Sequence, residues 1–219
     1  MKLAPRVWPL TLQRLCHVTT LTSAPQPSVN PHGLLPSLLL MAAVCLMPGS
    51  TTAGAARSAP PPVVTTSDLA QRIHTLVNVE RKKHGLDALN WNQALAKIAT
   101  QHSRDMAQRN YLSHDTPEGH DFGARYRQGG FTCAVTVGKF IHTGAENIAL
   151  ARLYNSSNTI NGVATYDWNT PQQIAQKVVD GWMNSPGHRK NILTSHWKRQ
   201  GIGVEIAAEN KIYITQNFC

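Results

Sequence analysis

The stretch Trp182-Met183-Asn184-Ser185-Pro186-Gly187-His188-Arg189-Lys190-Asn191-Ile192-Leu193 is the strongest local constraint in this chain. Ser185-Pro186-Gly187 must end a helix arriving from Trp182, because proline lacks an N–H and glycine accepts backbone angles that other residues avoid. His188 then stands at the start of a second short helical turn that runs to Leu193. A histidine there meets the positive end of the helix dipole, which disfavours its protonated form. A neutral imidazole can bind a metal or accept a proton. It can equally do no more than cap and pack, and this stretch leaves both readings open.

The arriving helix starts at Thr170-Pro171-Gln172-Gln173, with Thr170 as cap, Pro171 in the first position and Gln173 able to close a capping box. Ile174, Val178, Gly181 and Trp182 make its inner face. The first helix of the folded domain, 68 to about 83, is signalled by Leu69, Ile73, Leu76 and Val77, with Ser67 as cap and Gly85 as stop. Leu86 to Trp91 reads as an extended connector. A second helix, about Asn92 to Arg109, turns Leu95, Ile98, Ala99, His102 and Met106 inward, so His102 reads as a core histidine rather than a ligand. Phe122 to Gln128 gives a short helix ended by Gly129-Gly130.

Between the helices, Ser113 to Gly119 reads as a loop that carries His114, and loop histidines serve function more often than core ones. Residues 132–143 read as irregular and 153–169 as an inserted loop. Gly144 to Ala149 is a short strand or its edge. It places Glu146 among small and apolar neighbours, where a carboxylate needs a partner: an Arg, a Lys or backbone N–H groups, or else a histidine or metal. Gly201 to Ile206 alternates as a half-buried strand, and Lys211 to Phe218 is its hairpin partner across Glu209-Asn210. This order of elements predicts an α+β fold in which a small antiparallel sheet lies between helical layers.

The chain opens with a polar, aperiodic segment and then an apolar run, residues 34–47. Fourteen residues are too few for a bilayer, which takes roughly 20, but they suit a signal-peptide core. Ala53-Gly54-Ala55 fits an A-x-A cleavage site. Residues 1–55 are therefore expected to be an export segment, either removed or kept as an anchor. Residues 56–67, with Pro60-Pro61-Pro62, read as a Pro-rich linker, and 68–219 as the folded domain. Three of the 21 basic residues lie in the first 55, leaving 18 against 12 acidic ones. They are scattered, the longest run being Arg81-Lys82-Lys83. That suits weak attraction to an anionic surface and argues against nucleic acid as a partner, since no aromatic and basic residues interleave. The mature chain is expected to be a monomer without a membrane span, secreted to the exterior, periplasm or cell surface.

Of four cysteines, Cys16 and Cys45 lie in the export segment. Cys133 and Cys219 remain, and two thiols in an oxidising compartment predict one bridge, Cys133–Cys219.

Four segments occur in an order that resembles the CAP superfamily (cysteine-rich secretory proteins, antigen 5, pathogenesis-related proteins) in its microbial SCP-like form. They are Ser113-His114-Asp115-Thr116-Pro117-Glu118-Gly119, Gly144-Ala145-Glu146-Asn147-Ile148-Ala149, Trp182 to Leu193, and Gly201-Ile202-Gly203-Val204. The resemblance covers about residues 68–219. It implies a three-layer α-β-α sandwich whose cleft gathers two histidines, here His114 and His188, and a first acid, Glu146. The family's second acid would fall just after Trp182-Met183, where this chain has Asn184-Ser185.

Two imidazoles are good ligands for zinc or another divalent cation, with water completing the shell. Glu146 would then orient a histidine or act as a base. The sequence offers no compact metal motif. The resemblance implies an extracellular binding domain for a lipid or another surface ligand. The competing readings are a weak metal-dependent hydrolase of peptide or cell-wall material, and a purely structural domain.

Overall fold

The computed structural model describes residues 60–219. The export segment, with its apolar run, and the first residues of the linker lie outside the described residues. Helix α1 spans Thr66–Lys83. It starts slightly before the predicted position, because Thr65 rather than Ser67 caps it: the Thr65 hydroxyl accepts from the Asp68 N–H at 3.2 Å. Strand β1 (Asn90–Trp91) and helix α2 (Gln93–Arg109) follow, the latter capped by Asn92 and stopped by Asn110 in the left-handed conformation. Helix α3 spans Phe122–Gln128.

Two regions expected to be irregular are hairpins. Strands β2 (Val135–Val137) and β3 (Phe140–His142) pair antiparallel. After β4 (Ala145–Arg152), strands β5 (Tyr154–Ile160) and β6 (Val163–Trp168) pair around Asn161-Gly162, both with positive φ, the backbone that tight hairpin turns demand. The β5–β6 ribbon shows no apolar alternation because most of its residues are exposed or half-exposed. Tyr154, Tyr166 and Trp168 cluster to hold it: Tyr166 and Trp168 stack with centroids 4.7 Å apart, and Tyr154 meets Trp168 edge-on.

Helices α4 (Pro171–Asn184, with the predicted Thr170–Gln173 capping box) and α5 (Pro186–Leu193) precede the closing hairpin of β7 (Arg199–Ile206) and β8 (Lys211–Phe218). The main sheet runs β1-β7-β8-β4. It is mixed rather than wholly antiparallel, since β1 pairs parallel with β7. Helix α2 covers one face. Its backbone approaches β7 so closely that a Cβ on Gly203 would lie 2.0 Å from the Thr100 nitrogen. The other face meets α1: Gln216 donates to Gln200, whose amide lies 2.8 Å from the His74 ring. Ile73, Val77, Ile174, Val179, Trp182 and Ile192 fill the layer on that side.

Strand β4 is an edge strand of the sheet, at the end opposite β1. Cys219 and Arg199 exchange both N–H···O bonds. The alternation of an antiparallel ladder then fixes which residues of β8 face β7 and which face β4. Through the β4–β8 register, Asn147, Ala149 and Ala151 bond to β8, while Glu146, Ile148, Leu150 and Arg152 turn their backbone groups outward. The Cys133–Cys219 disulfide is formed as predicted and ties the β2–β3 region to the end of β8.

Candidate functional site

The site lies where β4, the loop after α2, α3 and α5 meet. The carboxylate of Glu146, 1% exposed, points to the α2 side of the sheet. His114 Nδ1 lies 2.9 Å from its Oε1, and Arg125 of α3 donates to its Oε2 at 2.5 Å. Of the partners weighed for this acid, an arginine and a histidine are both present. The other Arg125 terminal nitrogen donates to the carbonyls of His114 and His120, at 2.7 and 2.8 Å. One buried guanidinium therefore neutralises the acid and shapes the loop that presents His114.

A carboxylate held by a guanidinium acts as an acceptor, so His114 Nδ1 carries the proton and Nε2 offers a lone pair to the cleft. The His114 side chain is 50% exposed. His188 faces it from α5, with ring centroids 6.5 Å apart. Burial, then the neighbouring His114, lowers the pKa of His188. The predicted direction is right, but the leading cause is burial rather than the helix start.

Helix α5 is latched in place by polar contacts that spacing does not reveal. Asn191 donates to the Glu146 carbonyl at 3.1 Å and to the Asn147 side chain at 2.9 Å, and Asn147 donates to the His188 carbonyl at 3.3 Å. From α1, Arg81 is fully buried and donates to the carbonyls of Ile192 and Thr194, satisfying the end of α5. It belongs to a run that reads as scattered surface charge.

His102 is a core histidine, as expected, yet it borders the site: its Nε2 lies 4.0 Å from Glu146 Oε1 and donates to the Ser113 carbonyl at 3.0 Å. Its buried Nδ1 has no partner among the described residues. Burial lowers its pKa, with Glu146 opposing and Arg125 adding to the shift.

Two hollows flank the site. One of about 530 Å³ is bordered by His102, Arg125, Lys97, Arg109 and Glu118. The other, a groove of about 390 Å³, runs from His188 along the outer edge of β4, walled by Ile148, Leu150, Ile174, Val178 and Trp182. Trp182 donates its indole N–H to the Ile148 carbonyl at 3.0 Å.

Among the described residues no group of three His, Cys, Asp or Glu side chains is arranged to hold a metal ion. His114 and His188 supply two nitrogens. Zinc ligated at about 2 Å by two imidazoles in a tetrahedron brings their ring centres to about 5 Å, closer than they stand here.

The model of the cysteine-rich secretory protein (CAP) family matches residues 74–218. The chain belongs to that family. This CAP domain is 34% identical over 154 residues to the uncharacterized membrane protein YlbC of Bacillus subtilis, covering 70% of this chain and 34% of that protein. It is 32% identical over 139 residues to the uncharacterized protein YkwD of the same organism, covering 64% and 43%. It thus spans less than half the length of either relative.

Among solved structures it resembles an extracellular SCP-domain protein of Bacillus anthracis (28% identity, TM-score 0.52, covering 73% of this chain and 44% of that one). It also resembles an outer surface protein of Borrelia burgdorferi (17% identity, TM-score 0.51, covering 71% and 94%). The second likeness concerns the fold alone. Together they support the α-β-α sandwich. No helix among the described residues is long and apolar enough to cross a membrane.

Proposed function

We propose that this CAP domain is a non-enzymatic extracellular binding module that seats a surface ligand in the groove beside His188, with the His114–His188 pair as its polar end. The observation that carries this reading is the state of Glu146. One oxygen faces His114 and the other receives Arg125, so the cleft acid orients an imidazole instead of standing free to take a proton. The adjoining apolar groove supplies the surface that a lipid or another partly apolar ligand would cover. Export is supported by the apolar run with its A-x-A site and by the extracellular relative of known structure. The name of YlbC keeps a membrane-tethered form as the alternative to a released one.

A zinc or other divalent ion would join this reading as an adjunct once the His114 and His188 rings closed from 6.5 Å to about 5 Å. His114 Nε2 and His188 would hold it, and Glu146 would fix the orientation of His114. The bound ion would supply a positive charge for an anionic ligand group.

The test uses Gly181, which lines the groove and has nothing within 4 Å of where a Cβ would stand. Gly181→Leu should fold and fill the groove. Mass spectrometry of small molecules extracted from the wild-type protein, purified from its own secretion medium, should show a compound that the variant lacks. Equal content in both overturns the reading. Hydrolysis of peptide or cell-wall material by the wild type, abolished in His114→Ala, would select the hydrolase instead.

A further inference from the structure

The backbone of β4 says more about the ligand than the apolar walls do. Of the four residues that turn outward from the sheet, three have carbonyls already satisfied by side chains. Asn191 donates to Glu146, Trp182 to Ile148, and Asn169 to Arg152 at 3.4 Å. Leu150 is the fourth. Its N–H and C=O face the groove and have no partner among the described residues. An acyl chain in this groove would cover that pair without bonding it, which is costly. An extended peptide supplies both partners that Leu150 lacks: in parallel pairing one of its carbonyls accepts from the Leu150 N–H, and the N–H of the residue two positions on donates to the Leu150 carbonyl.

The end of the groove away from His188 carries two cations, Lys177 and Arg152. Lys177 donates to the amide oxygens of Asn155 and Asn169, both at 2.8 Å, and Arg152 lies 5.6 Å from the Tyr154 ring centroid. Neither cation forms an ion pair among the described residues. Arg152 also donates to the Glu209 carbonyl at 3.4 Å, with the Glu209 carboxylate in its field but not paired with it. Two cations without a direct ion pair, about two residues along the strand from Leu150, suit a terminal carboxylate at the spacing of an extended chain, about 3.3 Å per residue.

We propose that the groove takes the C-terminal end of an extended peptide. The peptide runs parallel to β4 and exchanges hydrogen bonds with Leu150. An apolar side chain rests against Trp182 and Val178, and the carboxylate lies on Lys177 and Arg152. This rests on the reading of the groove as a ligand site and names the ligand class.

The test is NMR titration of the ¹⁵N-labelled domain, following the Trp182 indole N–H and the Leu150 amide. The probes are a pool of acetylated apolar tetrapeptides with free carboxylates, the same pool as C-terminal amides, and palmitate. The free acids should shift both signals and bind at least tenfold more tightly than the amides. Lys177→Gln, at an exposed position, should reduce the acids to the level of the amides. Gly181→Leu should abolish both. Equal binding of acids and amides overturns the carboxylate assignment. Binding of palmitate without peptide overturns the peptide and leaves the binding module standing. Groove signals unmoved by any probe count against both.

Discussion

His114 and Glu146, 32 positions apart in sequence, meet at 2.9 Å between Nδ1 and Oε1, and the same carboxylate receives Arg125 on its other oxygen. The acid is therefore the joint of the site. It holds a loop histidine in one tautomer and neutralises a buried guanidinium. Glu146→Gln keeps the shape and removes the charge, leaving Arg125 without its counter-ion. Breaking a buried pair from one side costs about 3–5 kcal/mol. Urea denaturation should show a loss of that order, and a change under 1 kcal/mol would mean that Arg125 is balanced some other way.

Zinc should bind weakly and through the imidazoles. Calorimetric titration of the wild-type domain should give heats that vanish in the His114→Ala, His188→Ala double variant. Identical heats in both would remove the metal from this cleft.

Acid should destabilise the domain. The pKa values of His74, His102 and His188 are each lowered, with burial the first cause. Each then binds its proton more readily when unfolded, near pH 6.5. The stability linked to the neutral rings is full above that pH and is lost as pH falls through the folded values. Denaturation midpoints should fall between pH 7.5 and 5.0, and His102→Gln should flatten part of that slope. A midpoint that rises on acidification contradicts this account.

The disulfide joins residues 86 apart. Closing a loop of that length restrains the unfolded chain by roughly 4–5 kcal/mol in the chain-entropy estimate. The Cys133→Ser, Cys219→Ser double variant should melt well below the oxidised protein. Equal melting temperatures would show that the β2–β3 region holds without its tie.

Gly203 lets β7 lie on the backbone of α2: a Cβ there would stand 2.0 Å from the Thr100 nitrogen and 2.2 Å from the Ala99 carbonyl carbon. Backbone cannot rotate aside as a side chain can, so Gly203→Ala should cost about 3 kcal/mol or more. Thermal melting checks it. A neutral result would mean that α2 can lift from the sheet.

Much of this was legible in the chain because it is local. Periodic apolar residues placed α1, α2 and α4, Ser185-Pro186 marked the break between α4 and α5, although Pro186 and Gly187 open α5 instead of lying outside it, and alternation gave β7 and β8. The two cysteines of the folded domain could pair only with each other, and four ordered motifs brought His114, His188 and Glu146 into one expected cleft. The β5–β6 hairpin escaped because its signal, burial of alternate residues, is weak in a ribbon that stands in solvent. Tertiary structure alone decided that Arg125 grips Glu146, that Arg81 is buried under α5, and that His102 borders the site. It also decided that Leu150 is the outward residue of β4 whose carbonyl has no partner among the described residues. Each of these depends on which groups meet across the fold, and such meetings are set by packing and strand register. A residue's own neighbours in sequence carry no record of them.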